Sequence, residues 1–230
     1  MEFQKFVDGV TNGKKILKDV DTRWISLKGP ARRLFSEYES LVGVMYEHRF
    51  NVDKAQDILF RLTDIETLLT LAGILPMLHE MNVLVKVSQN RTMYIVEYTT
   101  GRKLTCLALD NLYMMEDSFT RPEFTSWTRI VNIENVENYL KFDEKGMLCM
   151  AVHGYMVPFH YIGNIGQTTK ECPVSREQFD NIIISVKRNL IEIAKSLASE
   201  IRERFPRDEL SEAMSMVYPQ YWKIVNVKIL

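Results

Sequence analysis

A chain of 230 residues with 46% hydrophobic content is long enough to bury a real core, as one large or two small domains. Its net charge of −1 excludes the overall basic excess of a dedicated nucleic-acid binder, and no internal repeat or low-complexity segment marks a fibrous or disordered chain. The charge is uneven all the same. Residues 1–35 hold eight Lys/Arg against four Asp/Glu, a surplus of +4 that leaves −5 for the remainder. Such a surplus can meet phosphates or form a solvated face. The opening "MEFQKFVDGV" has no apolar signal-peptide core, and Cys106, Cys149 and Cys172 are unevenly spaced, so a reducing, intracellular setting is expected. No apolar run approaches the ~18–20 residues that span a bilayer. The longest, "LLTLAGILPMLHEM", carries His79 and Glu80 and reads as a buried helix kinked by Gly73 and Pro76.

Taken in chain order, Leu27, Leu34, Phe35, Tyr38, Leu41, Val42, Met45 and Tyr46 repeat at three- and four-residue steps, which predicts one helix from Ser26 to Glu47 with Pro30 in its first turn. A second helix starts near Asp53, a candidate N-cap, and runs through Ile58, Leu59, Leu62, Ile65 and Leu69 to a kink or break at Gly73 and Pro76. A third, Thr92 to Met115, is expected to bury Leu104, Leu107, Ala108 and Leu112, with Gly101 a weak point. "ENYLKFDEKGMLCMAVHGYMVPF" is two β-prone runs joined by "DEKG" and predicts a hairpin near 138–153. "GNIGQTTKECP" reads as a loop. The last long helix begins at Ser175, where "SREQ" spells a capping box, and carries an apolar stripe from Phe179 through Val186, Leu190, Ile193 and Ala194 to Ile201 before Pro206 stops it. A short helix from Asp208 precedes "PQYWKIVNVKIL".

The chemistry-bearing residues yield little on their own. Cys149, His153, His160 and Cys172 are metal-ligand types, but Cys149 and His153 on one strand would stand roughly 13 Å apart at ~3.3 Å per residue, too far to share a zinc. No metal or cofactor is therefore expected. There is no G-x-S-x-G, and "GNIGQTT" lacks the lysine and strand–loop–helix setting of a phosphate loop. Asp19 with Asp21, and Asp143 with Glu144, read as solvated acids. Asn90-Arg91-Thr92 is a glycosylation sequon that an intracellular protein would not use. Nothing points to a small-molecule substrate or a membrane.

What remains is Arg23-Trp24, between a charged run and a helix start. "KILKDVDTRWISLKGPARRLFSEYESLV" resembles the segment that enters the helical insertion of hAT-superfamily transposases, where a "TRW" precedes a serine and a long helix. "LTDIETLLTLAGILPMLHEMNVLVKVSQNR" resembles the central helices of that insertion. "CPVSREQFDNII" and "RFPRDELSEAMSMVYPQYW" resemble later segments of plant transposase-derived proteins. The pieces run in order from about residue 2 to 222. The resemblance implies a mainly α, multi-helix insertion-type domain with one small β-hairpin, a fragment of a ribonuclease H-like transposase fold. Residues 1–25 would be a remnant of that core, 26–222 the insertion-like domain and 223–230 a tail. The family cuts DNA with an Asp/Asp/Glu metal triad. Only about 20 residues precede Thr22, and no acid here can be assigned to the triad by position, so the chain is expected to be a truncated or domesticated derivative without catalysis of its own, nuclear in location.

The resemblance implies a DNA role for Arg23 and Trp24, with Lys14, Lys15, Lys18, Arg32 and Arg33 as further candidates in the basic stretch. An indole face stacks on a base and an Arg fork grips a phosphate. Trp24 could equally pack as a hydrophobic staple against the "ARRLF" helix. At the level of function, weak DNA contact stands against a helical module that pairs with itself or with transposase-like relatives.

Overall fold

The computed structural model describes residues 27–89, 95–135, 138, 140–165 and 168–204. The protein is mainly helical, with a small antiparallel β portion. Its described residues form two compact units. Unit 1 takes residues 27–76 and 119–190; unit 2 takes 77–118 and 191–204.

Unit 1 opens with α1 (Lys28–Ser36), which buries Ala31 and Phe35. The expected single helix divides here. At Glu37 the backbone leaves helical geometry, with its N–H shared between the carbonyls of Arg33 and Leu34, and α2 (Tyr38–His48) begins afresh. A run of Leu41, Val42, Gly43, Val44 and Met45 is buried on all sides of α2, so this short helix is a core element rather than an amphipathic one. The Tyr38 hydroxyl donates to the carbonyl of Leu62, tying α2 to the end of α3 (Asp53–Leu62). Asp53 is not the N-cap of α3; Val52 is, and Asp53 sits in the first turn, where a carboxylate favours the helix dipole.

The second correction concerns α4 (Ile65–Ser88). The break comes at Thr63–Asp64, not at Gly73 and Pro76, which lie inside one 24-residue helix. Asp64 starts it, accepting from the Glu66 N–H at 3.2 Å and from the Thr67 hydroxyl. Gly73 is required by packing. A Cβ there would meet Leu190 Cδ1 at 2.2 Å and the Trp127 ring at 3.2 Å. By length and composition α4 could cross a membrane, against the expectation of no such run, but half of that stretch is buried within the protein.

A 3₁₀ turn (Pro122–Phe124) leads into α6 (Thr125–Val131); α5 belongs to unit 2 and is given below. Trp127 and Phe124 are fully buried, and Phe119 packs on both at centroid distances of 5.0 and 4.8 Å. Trp127, rather than the more conspicuous Trp24, is thus the tryptophan seen to anchor this core.

The β portion is larger than one hairpin. β1 (Leu140–Phe142), β2 (Leu148–Val152) and β3 (Tyr155–Pro158) form an antiparallel sheet in that order, and β4 (His160–Ile165) pairs with β5 (Thr168–Pro173). The "DEKG" turn closes β1–β2 as expected: Asp143 Oδ1 accepts from the N–H groups of Lys145 and Met147, and Gly146 takes positive φ. The second β-prone run holds another turn. His153 and Gly154 both have positive φ, as a two-residue type I′ hairpin demands, and join Val152 to Tyr155. The stretch read as a loop is the β4–β5 hairpin.

The last helix, α7 (Arg176–Arg204), begins with the capping box foreseen in the sequence. The Ser175 N–H donates to Gln178 Oε1 at 2.8 Å and the Gln178 N–H to Ser175 Oγ at 3.3 Å. Its buried stripe is Phe179, Val186 and Leu190 in unit 1, then Ala194, Ala198 and Ile201 in unit 2, while Ile193 is exposed.

In unit 2, α5 (Ile95–Tyr113) buries Leu112 as expected but turns the rest of its face. Arg102, Thr105, Cys106, Leu109, Leu112 and Tyr113 are buried; Leu104 and Leu107 are exposed. The α7 segment lies along it, with the Cys106 thiol against the carbonyl of Ala198 and Arg202 paired to Asp110 at 2.7 Å. The Met77 N–H, one residue past Pro76, donates to the Tyr113 hydroxyl at 3.1 Å.

Candidate functional site

Arg23, Trp24, Lys14, Lys15 and Lys18 lie outside the described residues, as do residues 205–230 and the sequon. Of the basic candidates, Arg32 and Arg33 are described. Both stand on α1, Arg32 exposed and Arg33 half-buried, with the Arg33 carbonyl accepting from Ser36 Oγ. Among the described residues, the basic set is therefore represented by one exposed guanidinium on α1 and one half-buried one beside it.

The metal-ligand types are dispersed. Cys149 is buried on β2 with its thiol toward the carbonyl of Lys141; His153 is exposed in the β2–β3 turn; Cys172 is half-buried on β5. Burial pushes the Cys149 thiol up from its usual range, and nearby Asp143 adds to it. His160 is buried. Its ring stacks on Phe60 with centroids 4.4 Å apart, and its Nδ1 lies 3.3 Å from Thr63 Oγ1 and 3.8 Å from Glu171 Oε1. Among the described residues no three His, Cys, Asp or Glu side chains are placed to hold a metal ion.

One cleft in unit 1 has a chemical character of its own. It encloses about 400 Å³, is partly open to solvent, and is lined by Arg121, Pro122, Thr128, Arg129, Asn132 and Asn135, with Thr120, Thr125 and Asn138 completing the wall. The sequence places it well: α6 carries Thr125, Thr128, Arg129 and Asn132 at three- and four-residue steps, hence on one face. The opposite steps, Trp127 and Ile130, are buried and fix that face outward. Asn138 donates to the Asn132 carbonyl at 2.9 Å and its Oδ1 accepts from the Leu140 N–H at 3.1 Å. Two guanidinium groups, three amides and three hydroxyls line the cleft, and among the described residues no carboxylate does. Such a set accepts an anion and offers neutral hydrogen-bonding groups beside it. Reading the sequence missed this site because "TRPEFTSWTRIVNIENVEN" interleaves its polar residues with acids, of which Glu123 and Glu134 do not line the cleft.

Comparison with protein-family models, with curated proteins and with solved structures finds no match to this chain.

Proposed function

We propose that the chain is a hAT-transposase-derived protein that contacts DNA without cutting it. The observation that carries the reading is the unit 1 cleft to which Arg121 and Arg129 both contribute, with no acid among the described residues of its lining. The exposed Arg32 and the basic surplus of residues 1–35 add to it. The transposase origin rests on the ordered resemblance from residue 2 to 222, with Arg23 and Trp24 as the residues carried over. Two-metal strand cleavage needs converging carboxylates, and no acid of this sequence can be assigned to the family's triad by position.

The test is binding of a labelled oligonucleotide as a function of salt, with Mg²⁺ or Mn²⁺ present. The expected result is an affinity that falls linearly on a log–log plot with salt, and no nicking. Trp24→Ala should weaken binding to single-stranded or hairpin DNA by about 1–3 kcal/mol, the worth of a base stack. Salt-insensitive or absent binding overturns the reading. Metal-dependent nicking that disappears on mutating one Asp or Glu overturns its non-catalytic part.

A second reading, a helical module that pairs with itself or with a relative, is favoured by one observation. Leu104 and Leu107 on α5, and Met114 and Met115 just past its end, are all exposed in unit 2, whereas the large apolar side chains among the described residues are otherwise mostly inside. Light scattering at tens of micromolar distinguishes it: a salt-insensitive dimer dispersed by Leu107→Glu supports pairing, and a monodisperse monomer removes it.

A further inference from the structure

We propose that the exposed stripe of α5 is covered by residues 208–218 of the same chain, docked as a short amphipathic helix antiparallel to α5. That segment lies outside the described residues. The inference is independent of the DNA-contacting reading, and it gives the stripe an occupant other than a second copy.

Three features lead there. The first is the shape of the stripe. Met114 continues the helical bonding of α5, its N–H donating to the Asp110 carbonyl at 2.9 Å. At 3.6 residues per turn, Leu104, Leu107, Asn111 and Met114 then fall within an arc of about 80°. All four are exposed, Leu107 to 57%, while Arg102, Cys106 and Leu109 on the other side are buried. The second feature is where the chain leaves unit 2. The Cys106 thiol meets the Ala198 carbonyl, and four residues further along each helix Asp110 pairs with Arg202, so α7 runs parallel to α5. Asp110 stands at the edge of the stripe, about 40° round the helix from Met114. The described part of α7 ends at Arg204, two residues past that ion pair and hence beside the Met114 end of the stripe. A chain that follows the stripe from there can only run back toward Leu104, and Pro206, which cannot continue α7, stands where it must turn. The third feature is the pattern of "DELSEAMSMVY", residues 208–218. Leu210, Met214 and Val217 recur at four- and three-residue steps, with Asp208, Glu212 and Ser215 on the opposite side. From 208 to 218, as from Leu104 to Met114, a helix advances about 15 Å. Two apolar stripes of equal length thus start from the same end, and laying one on the other removes both from water.

The test is amide hydrogen exchange of the full chain read by mass spectrometry, beside light scattering, each at low and at tens of micromolar concentration. A helix this short is marginal in water on its own, so amides within 208–218 are protected only when the segment is docked. Variants are Leu107→Glu, Met214→Glu and the pair Leu107→Glu/Met214→Lys; thermal melts show that each is folded, and peptides spanning the buried Leu109 serve as the internal control. The expected result is a monomer in which exchange within 208–218 is slowed by about tenfold or more, equally at both concentrations. Leu107→Glu and Met214→Glu should each abolish that protection, and the opposite charges of the pair should return part of it, with protection around Leu109 unchanged throughout. If 208–218 exchanges like an unprotected peptide in the unmutated chain, or if its protection survives both single variants, the inference is overturned and the DNA-contacting reading is untouched. If the protection grows with concentration and follows a dimer that Leu107→Glu disperses, the occupant is a second copy: the inference falls and the pairing reading stands.

Discussion

Thr63 and His160 meet twice. The backbone N–H of His160 donates to the Thr63 carbonyl at 3.1 Å, and the Thr63 hydroxyl lies 3.3 Å from His160 Nδ1, both side chains being buried. Residues 97 positions apart are thereby joined, the α3–α4 corner to the first residue of β4. The same hydroxyl also donates to the Leu59 carbonyl at 2.9 Å, finishing α3. Thr63→Val keeps the shape and removes the hydroxyl, leaving a buried ring nitrogen without this partner. The expected loss is about 1–3 kcal/mol, the cost of an unmade buried hydrogen bond, seen as a lower urea midpoint with unchanged slope.

At Gly73 two effects compete. Alanine gains about 1 kcal/mol of helix propensity over glycine. Its methyl, however, would stand 2.2 Å from Leu190 Cδ1 and 3.2 Å from the Trp127 ring, both in the buried core. Overpacking of that kind costs about 1–3 kcal/mol, so Gly73→Ala should be net destabilising in thermal unfolding. Leu190→Val in the same chain should return part of the loss; a double-mutant cycle measures how much. A stabilised Gly73→Ala would show that Leu190 has room to turn aside.

Tyr113 predicts an alkaline limit. Burial pushes its hydroxyl well above the usual tyrosine range, and the Met77 N–H, which favours the phenolate, offsets only part of this. The sign follows from which state ionises first. Below the unfolded value near pH 10 both states hold the proton and the contribution is intact. Above it the unfolded chain loses its proton while the folded one keeps it, so stability falls as pH rises toward the folded value. Tyr113→Phe should cost about 0.5–1.5 kcal/mol at neutral pH through the lost hydrogen bond and flatten the decline above pH 10. Parallel urea titrations of the two proteins at pH 7 to 11 measure both; an unchanged slope would remove Tyr113 from the account.

The three thiols should be distinguishable by reactivity. Burial raises Cys106 and Cys149, with Asp110 adding to the first and Asp143 to the second, although Arg202 works the other way at Cys106. The thiolate is the reactive form, so both are protected twice, by access and by protonation. Cys172 is only half-buried. Under native conditions a maleimide should modify Cys172 first, and all three only in denaturant. Peptide mapping after a time course decides it, and early labelling of Cys149 would mean that β2 opens locally.

The parts of this fold that were legible in the sequence are those in which the determining atoms are close in sequence. "SREQ" contains both halves of its capping box, and "DEKG" contains the aspartate and glycine that make its turn. The errors share a different cause. Pro76 and Gly73 read as breakers because their local costs are visible, whereas the compensations come from Tyr113, Trp127 and Leu190, 36 to 117 residues away. Leu104 and Leu107 were assigned to the core of α5 by residue type. The buried face instead holds Arg102 and Thr105 among its apolar members, a choice made by the packing partner and not by local hydrophobicity. "GNIGQTTKECP" read as a loop because its composition is polar and glycine-rich, yet strand pairing needs only backbone groups in register, and Gly163 with Lys170 and Asn164 with Thr169 supply them. The cleft escaped notice for a related reason: its described lining gathers residues three and four apart around α6 and leaves out Glu123 and Glu134, which stand beside them in sequence.

Gly43 on α2 has no room for a side chain, since a Cβ there would lie 2.7 Å from His153 Nδ1 and 2.8 Å from Val152 Cγ2. That close approach joins two residues 110 positions apart, and the chain between them passes through unit 2. During synthesis, therefore, α3 follows α2 at once, but the side of α2 that meets Val152 and His153 must wait uncovered while more than a hundred further residues are added. At roughly 5–20 residues per second that interval lasts on the order of 5–20 s. An early helix that waits this long for its sheet is exposed to misassembly in the interval, so elongation rate and chaperone supply bear on the yield of native protein alongside the final stability of unit 1.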